Sequence, residues 1–412
     1  MNHDKHKLNF NGLTRRDFLR VGTVGATGVG LAGLGGLSSE AFAEANDIGR
    51  LPQRRYGRTG LQISAMVGAS DWSPDVIPMA VKAGVNYWHK AQKWTKETFP
   101  AAIKSQPREA YYLEVVVDRV GGDNKTGHID EEQHYQFVKR AVASSGAGYF
   151  DVFKFHYGYH SVQEAKTNPG VVRAYERLKK EGLVKHLAIS QHHYNNIGGD
   201  LAFEILNYLM ENSPYEAAQF FYTYGDRKET QDLIALAKAK DFGTIAMKTM
   251  GGVGRAAGDP KFQSLLAEPK FAGSTPAVAM VKWLMANPNL TAAVFATKSF
   301  DQLLENIGAA KSSKLAANDR HALDLLAGYN KGLTCLLCAD CVTSCPEHIG
   351  IADIFRYERY ALDYHELDRA RAEYKTLTKN GSACIACGDC LPDCKADINI
   401  LSKLKQVHDL LG

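Results

Sequence analysis

No cysteine occurs before residue 335 of this 412-residue chain, so a disulfide framework is excluded from most of its length. No Lys/Arg run after residue 50 forms a basic patch, and the formal net charge is only +4, so nucleic acid is not an expected partner. Heptads and low-complexity segments are absent, which removes coiled-coil and linker readings. There is no H-E-x-x-H or H-x-H spacing, so no metal site announces itself among the histidines. No G-x-G-x-x-G follows the first apolar run, which counts against an open dinucleotide-binding sheet. The longest weakly apolar stretch, Val21 to Leu37, is rich in glycine and poor in Leu and Ile. It is not a convincing membrane span.

What the chain does have is concentrated at its end. Cys335, Cys338, Cys341 and Cys345 form one C-x-x-C-x-x-C-x-x-x-C run, and Cys384, Cys387, Cys390 and Cys394 form a second, 49 residues later at every position. Disulfide frameworks have no reason to repeat such gaps, and zinc sites pair two C-x-x-C hooks without a fourth Cys at this spacing. The runs resemble those of bacterial ferredoxins, and imply two [4Fe–4S] clusters. Cys345-Pro346 keeps the ferredoxin ending, whereas Cys394-Lys395 departs from it. In that family the fourth Cys of each run ligates the other cluster. The resemblance thus groups Cys335, Cys338, Cys341 and Cys394 on one cluster, and Cys384, Cys387, Cys390 and Cys345 on the other.

At the opposite end, Asn11-Gly12-Leu13-Thr14-Arg15-Arg16-Asp17-Phe18-Leu19-Arg20 resembles the twin-arginine export motif. The Gly-rich apolar run follows, and Ala41-Phe42-Ala43 offers a small-x-small cleavage site. Residues 1–45 are therefore expected to be a leader. The route implied by the motif exports folded proteins with cofactors inserted, which suits clusters built on reduced thiols. The expected location is the periplasm or the outer face of the cytoplasmic membrane.

Between residues 55 and 310, short β-rich apolar runs alternate with helical patterns. Strands are expected at Ile63–Ala69, Val85–His89, Ala110–Val117, Phe150–His156, Val184–Ser190, Ala217–Tyr222, Thr244–Met247 and Thr291–Ala296. Helices are expected at Glu131–Ser144, Val162–Glu181, Gln231–Ala239 and Pro276–Ala286. Eight alternations with strands buried on both faces predict an α/β protein with a closed (β/α)8 TIM barrel at 46–330. A small bacterial-ferredoxin-like domain follows at 331–412. Tyr56-Gly57-Arg58-Thr59-Gly60-Leu61, Tyr149-Phe150-Asp151-Val152-Phe153-Lys154-Phe155-His156, Lys180-Glu181-Gly182-Leu183-Val184 and Met247-Lys248-Thr249-Met250-Gly251-Gly252 resemble segments of the aldo-keto reductases in the right order.

That resemblance implies four catalytic residues at the barrel mouth: Asp, Tyr, Lys and His, with Tyr as the acid that protonates a carbonyl during hydride transfer from NADPH. Here the Asp and Tyr positions read His89 and Trp94, and the third strand, Glu114-Val115-Val116-Val117-Asp118-Arg119, offers no Lys. An indole N–H is not a usable acid. Only His156 matches. Lys154 shares its face of the strand, and His89, His192, His193, Lys248 and Tyr157 are expected near the same rim. Lys298, Ser299 and Asn306 stand where the family binds NADP, and are expected to be a remnant of that site. The expectation is an exported iron–sulfur oxidoreductase or electron-transfer protein. It would exchange electrons with a redox partner protein or quinone-linked carrier, with a small-molecule substrate at a mouth where His156 and Lys154 act. The alternatives are a barrel serving only as a scaffold, or an NADPH-dependent carbonyl reductase with an unusual acid.

Overall fold

A computed structural model describes residues 49–120, 127–192, 199–225, 228–312 and 314–412. Eight parallel strands close into a barrel: β3 (Met66–Ala69), β4 (Tyr87–His89), β5 (Tyr112–Val117), β6 (Phe150–Phe155), β7 (Val184–Ser190), β8 (Ala217–Phe221), β9 (Gly243–Met247) and β10 (Ala292–Val294), with β10 returning to pair with β3. Strands and helices fall where the apolar runs placed them, and β7 agrees residue for residue. Each strand buries both faces. In β6, Phe153 and Phe155 join the shell between barrel and helices, while Val152 joins the apolar cluster of the barrel interior.

Two expectations need correction. Ile63–Ala69 is not one strand. Gln62–Ser64 (β2) pairs antiparallel with Gln53–Arg55 (β1), and β3 starts only at Met66. The break is held by Asn86, whose side-chain oxygen accepts from Ser64 N at 2.7 Å while its amide donates to Gln62 O at 2.9 Å. This hairpin closes the floor of the barrel, burying Tyr56 and Ile63 against Val67, Tyr87, Val152, Ala188, Ala217 and Ile245. The helix expected over Val162–Glu181 is two, Val162–Thr167 and Gly170–Lys180. Pro169 lies between them, and it can neither donate to a continuing helix nor leave Asn168 helical.

The C-terminal domain packs the helices Ile351–Leu362, Leu367–Tyr374 and Ile400–Leu411 around the cysteine loops. The first of these is buried on every side from Ile351 to Ala361, although it carries Asp353, Arg356, Glu358 and Arg359. A helix buried all round with charges on one face needs a charged partner. It finds one in the loop after β9. Gly252 N and Arg255 Nε donate to Asp363 at 3.2 and 3.3 Å, and Glu358 lies 2.8 Å from Lys403 Nζ and 3.5 Å from Arg255. The contact is close enough to require glycine: a Cβ on Gly254 would sit 2.0 Å from the carbonyl oxygen of Asp363. The cysteine-bearing domain is thereby fixed over the C-terminal mouth of the barrel. Among the described residues no helix is long and apolar enough to cross a membrane.

Candidate functional site

The barrel interior holds a buried charge cluster beneath the mouth. Glu114 of β5 and Lys154 of β6 are both fully buried and lie 2.8 Å apart. Tyr87 OH donates to Glu114 Oε2 at 2.6 Å, His89 Nδ1 lies 2.5 Å from Glu114 Oε1 and 2.9 Å from Lys154 Nζ, and Lys154 also donates to Gln219 Oε1. Burial alone would raise the Glu114 carboxyl, but Lys154 and His89 outweigh it and hold it at about 2. Burial draws Lys154 down to about 8, with Glu114 resisting. Burial, and then the Lys154 charge, draws His89 to about 3, so its ring is neutral. Lys154 is therefore bonded inward to the barrel, and the position expected to hold Asp instead holds a neutral imidazole. Glu114 went unrecognised in the sequence, though a lone acid in Tyr-Leu-Glu-Val-Val-Val beside a lone base in Phe-Asp-Val-Phe-Lys-Phe is a signal for such a pair.

Above this layer, His156 Nδ1 lies 2.5 Å from Asp118 Oδ1. Burial lowers the His156 pKa while Asp118 opposes the shift, so the ring is neutral at pH 7. Its Nδ1–H is donated to Asp118, and Nε2 is the atom that can take a proton. The His156 ring stacks 4.0 Å from Tyr157 and 4.9 Å from His192, and His192 Nε2 is 2.6 Å from Ser190 Oγ. Lys90, Tyr157 and Lys248 follow β4, β6 and β9 with φ of 57°, 64° and 57°. Left-handed backbone at three non-glycine residues on one rim is strain of the kind that collects at functional sites. His193 lies outside the described residues.

The cysteine domain supplies the roof. Lys248 Nζ donates to Tyr360 OH at 3.5 Å, and the Arg369 guanidinium lies 4.1 Å from the Tyr360 ring centre. Burial would raise the Tyr360 phenol, but the charges of Lys248, Arg356 and Arg369 bring it to about 8. Nothing in the sequence pointed to Tyr360, because its role depends on how the two domains meet.

Trp94 is elsewhere. It lies in the shell outside the barrel, its ring 5.8 Å from Trp88 and 5.3 Å from Phe99. The short turn Ala91–Lys93 carries the chain outward before it. Neither Trp88 nor Trp94 plugs the mouth. Arg119 is also structural, pairing with Glu164 at 2.7 Å and with the carbonyls of Gly127 and Gly158. Lys298 reaches Glu366 at 3.4 Å and the carbonyl of Tyr364 at 3.5 Å. Ser299 caps the helix Phe300–Ala310 by accepting from Gln302 N, and Asn306 is half-buried on that helix.

The eight thiols are all free of disulfides. Cys345, Cys384, Cys387 and Cys390 line one cavity. That cavity joins Cys345 of the first run to three cysteines of the second. The thiols whose charges act on Cys341 are Cys335, Cys338, Cys394 and, least, Cys390. The 49-residue repeat extends to the backbone: Leu337 and Ala386, Ala339 and Gly388, and His348 and Asp397 are all left-handed. Ser344 and Asp393, also equivalent positions, hydrogen-bond to each other across the pseudo-twofold. Leu337 N and Ile398 N donate to the sulfurs of Cys335 and Cys394 at 3.3 and 3.2 Å. Burial, then the neighbouring Cys338, pushes the Cys335 thiol up to about 12. Thiols crowded in this way become thiolates only with cationic metal among them. Among the described residues no group of three or more His, Cys, Asp or Glu is set for a single metal ion. The donor set fits two cubanes.

The two sets differ in place. Cys335 and Leu337 pack against Phe221, Met247 and Val294 at the ends of β8, β9 and β10, so the first set adjoins the mouth. Cys387 of the second is exposed, and Ile385 and Leu391 beside it are 62% and 37% exposed.

The family profile of the aldo/keto reductases matches residues 70–327, and that of the 4Fe-4S dicluster domain matches residues 328–395. No curated protein matches the chain. Among solved structures, a putative aldo-keto reductase from Pseudomonas aeruginosa is 17% identical over 64% of this chain and 97% of its own, with a TM-score of 0.48. The holo form of an aldo-keto reductase from Bacillus halodurans is 16% identical over 67% of this chain and 96% of its own, with a TM-score of 0.47. The chain belongs to the aldo/keto reductase family, its barrel joined to a ferredoxin-type domain for two [4Fe–4S] clusters.

Proposed function

We propose that the protein is an exported iron–sulfur oxidoreductase in which electrons travel between an outside carrier and a small molecule at the barrel mouth. One observation carries this reading: Cys335 and Leu337 pack directly on Phe221 and Met247 at the barrel rim. Clusters, when bound, supply electrons singly. The second cysteine set, with Cys387, Ile385 and Leu391 at the surface, would face the redox protein or quinone-linked carrier. At the mouth, His156 Nε2 accepts or returns a proton while Asp118 keeps the ring oriented. Tyr360 OH, drawn to about 8, is a second group able to give up a proton near neutral pH. Lys90 and Lys248 favour an anionic substrate. Lys154 holds the floor of this site by fixing Glu114 and His89.

In this reading the aldo-keto reductase reaction is lost. His89 replaces the acid of the tetrad, Trp94 lies outside the barrel, and Lys298 and Ser299 are occupied by contacts of their own. NADPH with ordinary aldehydes should give no turnover above background, and Trp94→Tyr should not create it, because the new phenol stays in the outer shell near its ordinary pKa of about 10. Spectrophotometric assay of NADPH consumption checks this, and robust carbonyl reduction by the wild type contradicts it. The scaffold reading has one observation in its favour: the roof formed by the helix Ile351–Leu362, which covers the mouth.

Export belongs to the same proposal. We assign residues 1–45 to a twin-arginine leader, 46–330 to the barrel and 331–412 to the cluster domain; the leader lies outside the described residues. Replacing Arg15 and Arg16 together with Lys should hold the precursor in the cytoplasm, as read by cell fractionation. Normal export of that variant would remove the assignment.

A further inference from the structure

We infer that the cavity between the end of β5 and the helix Glu131–Ser145 binds a small organic acid, a carboxylate on an apolar ring that also carries a hydroxyl. The cavity has a volume of about 460 Å³, in the range of pockets that hold small molecules. One wall is the chain leaving β5, from Val117 to Val120, and backbone pairing of Val120 with His128 at 2.9 and 2.8 Å ends it. The other wall is one face of the helix, where Gln133, Gln136, Phe137 and Arg140 recur at helical spacing. Asp118 is the wall residue shared with the barrel mouth, where it holds His156.

Charge, shape and hydrogen bonding each select that ligand. Asp118 pairs with His156, Arg119 with Glu164 and Glu132 with Arg177. Arg140 has no such partner among the described residues, and a guanidinium on an otherwise balanced wall matches a carboxylate. Phe137 is 37% exposed on the helix face that lines the cavity. With Val117 and Val120 it forms an apolar side that suits a ring. His134, on the same wall, is fully buried, and its Nδ1 lies 2.6 Å from the carbonyl oxygen of Asp130. A carbonyl only accepts, so Nδ1 carries the hydrogen. In the neutral ring that burial favours, Nε2 is then a bare acceptor. Nε2 is buried and meets no donor among the described residues. Buried acceptors are ordinarily paired, and a hydroxyl on the ligand supplies the donor.

The test is isothermal titration calorimetry of the full-length protein with benzoate, the hydroxybenzoate isomers and inorganic phosphate. The best hydroxybenzoate should bind saturably and about fivefold more tightly than benzoate, which has no donor for His134. Arg140→Gln should weaken both acids about tenfold or more, through loss of a charge-assisted hydrogen bond, and Phe137→Ser should weaken them too. Both positions are exposed, so neither variant should disturb the fold. No saturable binding of any of these acids would overturn the inference. So would binding that Arg140→Gln leaves unchanged, benzoate as tight as every hydroxybenzoate, or phosphate as tight as the acids, which marks an exposed arginine and nothing more. The titration needs neither clusters nor turnover, so its failure leaves the electron-transfer proposal standing, and the failure of that proposal leaves this site standing.

Discussion

Lys154→Met should destabilise the barrel by about 3–5 kcal/mol, since it leaves the Glu114 carboxylate buried without its cation. Both partners are fully buried, so neither solvent screening nor a rotamer change can relieve the loss. The cost falls on Tyr87, His89 and Gln219 as well, because all three are bonded into the same cluster. Glu114→Gln in the Lys154→Met background should recover part of the loss, since the amide removes the stranded charge and still accepts from Tyr87. Thermal unfolding followed by circular dichroism reads both variants; a Lys154→Met protein as stable as the wild type would contradict the ion pair. The same pair sets an acid limit. The folded Glu114 carboxyl sits below its unfolded value of 4.5 at about 2. Its stabilisation is therefore complete above the unfolded value and is lost as pH falls through the folded one. Acid unfolding should steepen in that window, and Glu114→Gln should flatten it.

Cys345→Ala should cut iron and inorganic sulfide from about eight to about four of each per chain, because the four thiols around one cavity include Cys345 from the first run and three from the second. The cluster that survives is the one at the mouth. Its EPR signal should match that of Cys384→Ala, and should differ from those of Cys394→Ala and Cys338→Ala, which resemble each other. Uncrossed ligation would exchange those pairs, making Cys345→Ala resemble Cys338→Ala. Stoichiometric zinc in a colourless wild-type protein would contradict the clusters altogether.

The barrel was legible in the sequence because its strands are short apolar runs alternating with helical patterns, and periodicity reports burial well. The hairpin under the floor was not, since Gln53-Arg54-Arg55 is polar and is held by pairing with β2 and by Arg54 donating to the carbonyls of Met285, Asn287 and Leu290. At the mouth, counting residues put Trp94 at a catalytic position, but spacing does not give direction, and the turn at Ala91–Lys93 sends the ring to the outer shell. The Lys of this cluster stands not on β5 but on the neighbouring strand, where Lys154 pairs with Glu114, and a pairing between strands is not written in the spacing of either one. The cysteine repeat conveyed the cluster chemistry almost completely, because eight thiols at that spacing have few other uses. That the domain bearing them roofs the barrel was not readable. The helix Ile351–Leu362 has an ordinary charged face, and only the glycine-rich loop opposite it shows that the face is buried.

The central claim, that electrons are used at the mouth, is tested most directly by His156→Asn in a strain lacking the native copy. Cluster content and protein abundance should be measured beside growth or in vivo activity. The His156 side chain is 15% exposed at the rim and its ring is held by a hydrogen bond to Asp118, which an asparagine amide can also donate, so the substitution should leave fold and clusters intact. The account predicts a full complement of iron and sulfide, normal abundance and lost activity. Wild-type activity from a fully loaded His156→Asn protein would contradict it, and would leave the clusters as the working part on an inert barrel.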